Sequence, residues 1–249
     1  MGIDLTSDCR GHWKCNDNAA NTNVADDSIL YNNDGVAYTN TEDISVENED
    51  KPNLQRWFSN DSAEYSFVWV EDTDDSLDFP EGQDFSVCFV FKMTHSTPEA
   101  IFVNKQGSAG RGYKIYSLWS DVKLRVYLQW TSNPANSITL IDDNDFDLDT
   151  VYWVCVTFDR DGYVSLYLNN QLRQSASMVS VLGLMNPGGF CFGRSLEGFI
   201  DNVMVFGKVL TAEERDFLWN NGELTESLIQ GAAVRPLTSG SLAGRRGLV

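Results

Sequence analysis

The chain has 249 residues, 42% of them hydrophobic, 12% aromatic and 22% charged, which is the composition of a globular protein able to bury one large core or two small ones. Its formal net charge of −18 argues against a nucleic-acid groove binder, because phosphate contacts need clustered Lys and Arg. That charge fits cation binding or plain solubility, and solubility is the simpler reading.

The first residues, Met1 to Leu5, lack the basic start and apolar stretch of a secretory signal. No apolar run reaches membrane length, so no membrane insertion is expected. Synthesis inside a cell follows as the expectation, with a cytoplasmic location or a later place on a virion or cell surface. Strand signals then recur at short spacing. They predict strands at 11–16, 34–39, 64–70, 85–93, 99–105, 112–118, 122–130, 137–141, 151–158, 162–169, 189–193 and 199–206. Lys123 to Trp130 alternates polar and apolar, as a half-buried strand should. Asp161-Gly162, between VTFDR and YVSLYL, is a hairpin signal.

Three loops are acidic: Glu42 to Asp50, Glu71 to Asp78 and Asp142 to Asp149. None has the spacing of an EF-hand, and solvated loops are the simpler reading for each. The one helix signal comes late. Thr211 and Glu214 have capping-box spacing, and Asn221-Gly222 supplies a left-handed stop. Of five cysteines, Cys88, Cys155 and Cys191 sit inside apolar strand patterns and read as buried free thiols. Cys9 and Cys15 are near enough in sequence to bridge or to share a metal, but no CxxC occurs and both His are distant.

The predicted class is therefore all-β: a two-sheet antiparallel jelly-roll sandwich with one short C-terminal helix. It spans residues 1–231. Residues 232–249 carry three Arg, no acid and scattered Leu and Val. This segment reads as a flexible tail or as an arm docking on an acidic neighbour through Arg235, Leu237, Leu242, Arg245 and Arg246.

Three stretches carry a resemblance. His12 to Asn21 (HWKCNDNAAN) precedes Val24 to Ser28 and Asn33-Asp34-Gly35. Val151 to Gly162 continues to Leu166-Tyr167-Leu168-Asn169-Asn170. Phe199 to Phe206 leads into the capped helix. In this order they resemble the laminin G-like, concanavalin A-like lectin/glucanase superfamily, over about residues 9 to 223. Asn170 stands where that hairpin usually has Gly, a position Asn tolerates. The resemblance implies one concave and one convex sheet, and a structural calcium tying the opening strand to the last. Asp201 matches the position of the calcium carboxylate, with Asp17 and the Gly35 carbonyl as the implied partners. The alternative is that Asp201 pairs with a loop N–H or an Arg. Asn32-Asn33-Asp34 matches the corresponding turn only loosely, which leaves the ligand set open.

Glucanases of that superfamily carry an E-x-D-x-x-E strand, and retaining hydrolysis needs two carboxyls about 5–5.5 Å apart. The spacing is absent here. The nearest cluster, Glu71 to Asp75, falls in a polar loop. His12 and His95 lack a neighbouring nucleophile motif, and Gly107 to Gly112 opens onto a strand rather than a helix. A non-enzymatic module is expected. Trp119 at a turn, with Asp121, Tyr116 and Trp130, forms the candidate glycan-binding set, although most aromatics of a sandwich are core. Two readings follow. One is a structural or adhesion module, such as a capsid decoration, fibre or surface-assembly protein with protein partners. The other is a carbohydrate-binding module for surface glycans, with hydrolase a distant third. A homo-oligomer stays open.

Overall fold

The computed structural model describes residues 2–51, 54, 56–60, 67–107, 111–131, 133, 135–179 and 188–230. The strands are β1 (Cys9–Trp13), β2 (Asn23–Val24), β3 (Gly35–Ala37), β4 (Ser45–Glu47), β5 (Arg56–Asn60), β6 (Val68–Val70), β7 (Phe85–His95) and β8 (Glu99–Gln106). They continue as β9 (Gly112–Leu118), β10 (Asp121–Gln129), β11 (Ser137–Ile141), β12 (Val151–Phe158), β13 (Tyr163–Leu168), β14 (Gln171–Ser177), β15 (Phe190–Arg194) and β16 (Glu197–Phe206). The helices are α1 (Thr41–Ile44) and α2 (Ala212–Trp219).

Among the described residues the strands form two antiparallel sheets. The first has the order β14-β13-β12-β7-β16-β5-β4, with β1 also on β16; the second has the order β11-β10-β9-β8-β15-β6-β3-β2. Every predicted strand is present within a few residues of its expected ends. The strands β2, β4, β5 and β14, and the short α1, were not foreseen.

β16 organises the first sheet. One edge pairs with β7 along its length. The other edge is divided, with β5 taking Gly198 to Ile200 and β1 taking Val203 to Phe206. Between these partners β16 bulges, since its register on β7 slips between Asp201 and Met204. Asn202 there adopts φ 49, which Asn tolerates better than most residues. Gly198 is required for a similar reason: its φ is +148, and a Cβ would stand 2.1 Å from the Lys92 carbonyl oxygen.

Both faces of the first sheet are covered. One packs on the second sheet through a core that includes Phe85, Phe89, Phe91, Phe102, Phe158, Phe190 and Phe192. Phe85 stacks between Phe79 and Phe158 with centroids 4.2 and 4.1 Å away, and such pairs add about 0.5–1.5 kcal/mol each beyond burial. On the other face Cys88, Val90, Trp153, Cys155, Met204 and Phe206 lie under Leu5, Leu54, Leu210, Leu218, Leu224 and Leu228. Two-sided burial explains why SVCFVF and NVMVF read as continuous apolar runs instead of alternating. The terminal segments serve as lid: the Leu5 N–H donates to the Leu228 carbonyl at 2.8 Å, and the Gln230 N–H to the Ile3 carbonyl at 2.8 Å.

All five cysteines are buried and free, Cys9 and Cys15 included. The acidic loops are solvated only in part. Asp72 is buried against Lys105, and Asp142 turns inward to Arg173, whose Nε lies 3.0 Å from Asp142 Oδ2. A buried carboxylate needs a cationic or hydrogen-bonding partner, and a distant strand supplies each one. The loop at 42–50 holds α1 and β4. No helix among the described residues is long and apolar enough to cross a membrane.

The hairpin turn at Asn169-Asn170 has φ 49 and 59, the doubly left-handed pattern of a type I′ turn. α2 carries the expected capping box: Thr211 Oγ1 accepts the Glu214 N–H, and the Glu214 carboxylate accepts the Thr211 N–H. Its left-handed stop comes at Asn220, φ 45, one residue before the Asn221-Gly222 signal. Thr211→Ala is expected to cost about 1 kcal/mol, read as a lower urea midpoint with an unchanged slope.

Candidate functional site

The outer face of the second sheet is the open one. Its cross-strand partners build two rows. The first runs Trp69, Cys191, Asn104, Lys114, Tyr127 and Thr139. The second runs Arg194, Ile101, Tyr116, Arg125 and Ile141. Residues paired across antiparallel strands share a face, so Tyr116, Tyr127 and Trp69 lie among polar neighbours on one surface. The alternation KLRVYLQ in β10 sends Leu124, Val126 and Leu128 to the core and its polar residues to this face.

Several polar groups on the face are fixed. Lys114 Nζ is 2.7 Å from Glu99 Oε1 and 4.2 Å from the centroid of the Tyr116 ring. Arg125 Nη2 is 2.6 Å from Asp121 Oδ1. The Tyr127 hydroxyl donates to Gln129 Oε1 at 2.6 Å, and Gln129 Nε2 donates to the Thr131 carbonyl at 2.7 Å. Burial raises the Tyr116 hydroxyl above the usual tyrosine range, partly offset by the charge of Arg125.

Of the residues singled out as glycan ligands, the structure brings Tyr116 and Asp121 to this region. Trp119, 68% exposed, projects at the turn between β9 and β10. Trp130 packs against the core. Tyr127, Trp69, Lys114 and Gln129 were not singled out for this face as a group. Their strand parity was readable, but the pairing order β10-β9-β8-β15-β6 that aligns them was not. A second, polar hollow of about 330 Å³ lies on the first sheet, lined by Thr157, Asp159, Tyr163, Ser165, Tyr167, Ser175 and Val209.

The second notable feature is buried. Asp201 occupies the gap on β16 where β5 ends and β1 begins, and it is fully buried. Neither of its oxygens has a well-formed hydrogen bond among the described residues. Burial pushes its carboxyl well above the usual range and the Glu226 carboxylate adds to this, while the Asn202 N–H and the Asn48 amide pull the other way. Glu226 Oε1 and Asn48 Nδ2 are likewise buried without partners. Burial pushes the Glu226 carboxyl up to about 7. Cys15, at φ 51, has its thiol raised by burial and then by Asp201 and Asp17. The C-terminal segment is anchored beside this gap, because Asn202 Nδ2 donates to the Thr225 carbonyl at 2.9 Å. On its other side the Asn202 Oδ1 meets His12 Nε2 at 2.7 Å.

Asp17 faces the Ala25 N–H, at 3.4 and 3.3 Å from its two oxygens. Gly35 pairs with Val70 and Val24 in the second sheet. Among the described residues no three His, Cys, Asp or Glu side chains converge as a metal cluster. A cation at Asp201 would therefore draw on Asp201, Glu226 and backbone carbonyls, hard-oxygen donors that calcium accepts; the Asn48 amide oxygen already accepts the Lys51 N–H at 2.8 Å. The orphaned oxygens of Asp201 and Glu226 fit such an ion, whereas Asn48 Nδ2, a donor, does not. The Asp-Ser turn is organised separately around Asp26, whose carboxylate accepts the His12 N–H at 2.8 Å, the Ser28 N–H at 2.8 Å and the Asn33 N–H at 2.9 Å. The docking residues Arg235, Leu237, Leu242, Arg245 and Arg246 lie outside the described residues.

A family model described as the concanavalin A-like lectin/glucanases superfamily, of the third laminin G type, matches residues 68–214. The chain belongs to that superfamily. Solved structures with the same fold include the binding domain of Paraclostridial Mosquitocidal Protein 1, at 18% identity and TM-score 0.67, covering 88% of this chain and 53% of that one. The receptor-binding domain of botulinum neurotoxin C/D mosaic serotype matches at 19% identity and TM-score 0.63, covering 87% and 52%. The botulinum neurotoxin serotype D ligand-binding domain, solved in complex with N-acetylneuraminic acid, matches at 18% identity and TM-score 0.62, covering 87% and 51%. This chain thus spans about half the length of the solved structures it matches. No curated protein matches the sequence.

Proposed function

We propose that the chain is a non-catalytic binding module that recognises surface carbohydrate on the outer face of its second sheet. The observation that carries this reading is the pair of cross-strand rows that set Tyr116, Tyr127 and Trp69 beside the fixed polar groups of Lys114, Arg125 and Gln129. Aromatic rings offer apolar faces to the C–H side of a sugar, and convergent polar groups read its hydroxyls. The superfamily supports the reading, as do neighbours that are receptor-binding domains, one of them holding a sialic acid. The absent glucanase carboxylate spacing supports a module without hydrolysis. Such a module suits adhesion; the narrower capsid-decoration or fibre reading rests on residues 232–249 alone.

Glycan-array binding followed by calorimetry tests the proposal. Tyr116→Ala, Tyr127→Ala and Trp69→Ala are each expected to weaken binding by about tenfold, roughly 1.4 kcal/mol, with the melting temperature little changed. Trp119→Ala tests whether the turn extends the face. Loss through Tyr163→Ala alone would move the site to the hollow on the first sheet. Reducing-sugar release from a β-glucan would overturn the non-catalytic assignment.

The second part of the proposal is a structural calcium held by Asp201 and Glu226, clamping the C-terminal segment against β16. Its support is the set of orphaned buried oxygens. Calcium about 100-fold above its Kd is expected to stabilise the chelator-treated protein by about 2.7 kcal/mol, and Asp201→Asn to erase that response. Equal melting temperatures in chelator and in calcium would remove the ion from the account.

A further inference from the structure

Lys105 is the chemical anomaly of the inter-sheet core. It lies on β8 opposite Tyr113 of β9, and its side chain has 0% exposure. Tyr113 in turn packs on Phe85 and Phe158, with centroids 5.2 and 5.4 Å apart. An amine here stands in an aromatic, dry environment where an ion pair often stabilises no better than an apolar group of similar volume. Three oxygens surround it: Nζ lies 2.6 Å from Asp72 Oδ2 and 2.7 Å from Asp78 Oδ1, and 2.7 Å from the Gly188 carbonyl.

The two acids are held differently. Asp72 accepts a directed hydrogen bond from Lys105, and its other oxygen accepts the Leu77 N–H at 3.1 Å. Asp78 Oδ1 touches Nζ without hydrogen-bond geometry. Burial raises the Asp78 carboxyl, against the opposing pull of Lys105. The Tyr113 hydroxyl is buried without a hydrogen-bond partner among the described residues. Burial and the charges of Asp72 and Asp78 hold its proton well above the usual tyrosine range.

We propose that Lys105 and Asp78 are joined by an intramolecular isopeptide bond whose formation is assisted by Asp72. The ammonium of Lys105 gives one proton to the Asp72 carboxylate and becomes an amine. Its lone pair attacks Cγ of the Asp78 carboxyl in its acid form, so the Nζ–Cγ bond forms. The Cγ–OH bond then breaks, and a proton from nitrogen joins the departing hydroxyl as water. One amine and one carboxyl become one amide and one water, with no oxidant or external reactant. Asp72 ends protonated. Pre-positioning supplies the driving condition, since well-oriented intramolecular reactants reach effective molarities of about 10⁵–10⁸ M. The product ties β8 to the loop after β6, across the intervening β15, a covalent strut inside a module built to hold a surface ligand.

Intact mass of the purified full chain, denatured after folding, tests this directly. The expected mass is 18 Da below that of the sequence, from the water lost. Peptide mapping should return a branched species joining the peptides that contain Asp78 and Lys105. Lys105→Arg and Asp78→Ala should each restore the full sequence mass, and Asp72→Asn should slow bond formation in a chain that still melts cooperatively. The wild-type measurement does not depend on any variant folding. A folded wild-type chain at full sequence mass after prolonged incubation overturns the proposal. So does a water loss that maps to a succinimide at Asp34-Gly35 or Asp161-Gly162.

Discussion

The two-sided burial of β16 is the constraint on which the rest of the molecule depends. A strand apolar on both faces needs two covers. The second sheet supplies one. The other is assembled from pieces remote in sequence: Leu5 before β1, Leu210 and Leu218 on either side of the capping box, and Leu224 and Leu228 after α2. This is why both ends of the described chain meet, and why an eight-residue helix that would be marginal alone is held in place. It also determines which surface remains free. Much of the first sheet's outer face is occupied by its cover, so the broad exposed sheet face belongs to the second.

Dividing one edge of β16 between β5 and β1 has a local cost. Where the two partners part, backbone pairing lapses, and the bulge turns Asp201 into space shared with Cys15, Asn48 and Glu226. A carboxylate there finds no well-formed hydrogen bond among the described residues. Lys105 shows the opposite arrangement, a buried charge crowded by oxygens from Asp72, Asp78 and Gly188. An unpaired buried group and an over-supplied one are both departures from the usual satisfaction of interior polar atoms. They underlie the two different proposals made above: a cation bound in the first case and a condensed pair in the second.

The long strands were legible because burial writes itself into composition. VYWVCVTF and SVCFVFKM declare themselves through β-branched and aromatic runs, and the β12–β13 hairpin through Asp161-Gly162. β14 was not legible: QLRQSAS is an edge strand, mostly exposed, and its order comes from pairing with β13 rather than from its own apolar pattern. β4 and β5 are short and take their register from β16 and from each other. At the buried acid, Asp201 stood out as one acidic residue in an apolar strand. Its neighbours Asn48 and Glu226 could not be found, because they belong to segments whose only signal was polarity. Asp72 and Asp142 misled in the same way. An acid in an Asp-rich run reads as solvated unless the partner strand that will neutralise it is known.

The same pairing logic bears on what the open face selects. The chain as a whole carries −18, yet two cations of this face are matched, Lys114 by Glu99 and Arg125 by Asp121, while Arg194 lies over the Phe67 ring. Those pairs offset each other in charge and hold the Lys114 and Arg125 side chains in place. A ligand arriving there meets rings and oriented hydrogen-bonding groups rather than a strong field. Charge complementarity chiefly accelerates encounter and suppresses wrong partners, and a face with its charges spent internally forgoes that means of selection. Discrimination then falls to shape and hydrogen-bond geometry, where an uncompensated polar group costs about 1–3 kcal/mol. A surface of this kind suits the hydroxyl-rich ligand proposed above, read by ring faces and oriented polar groups.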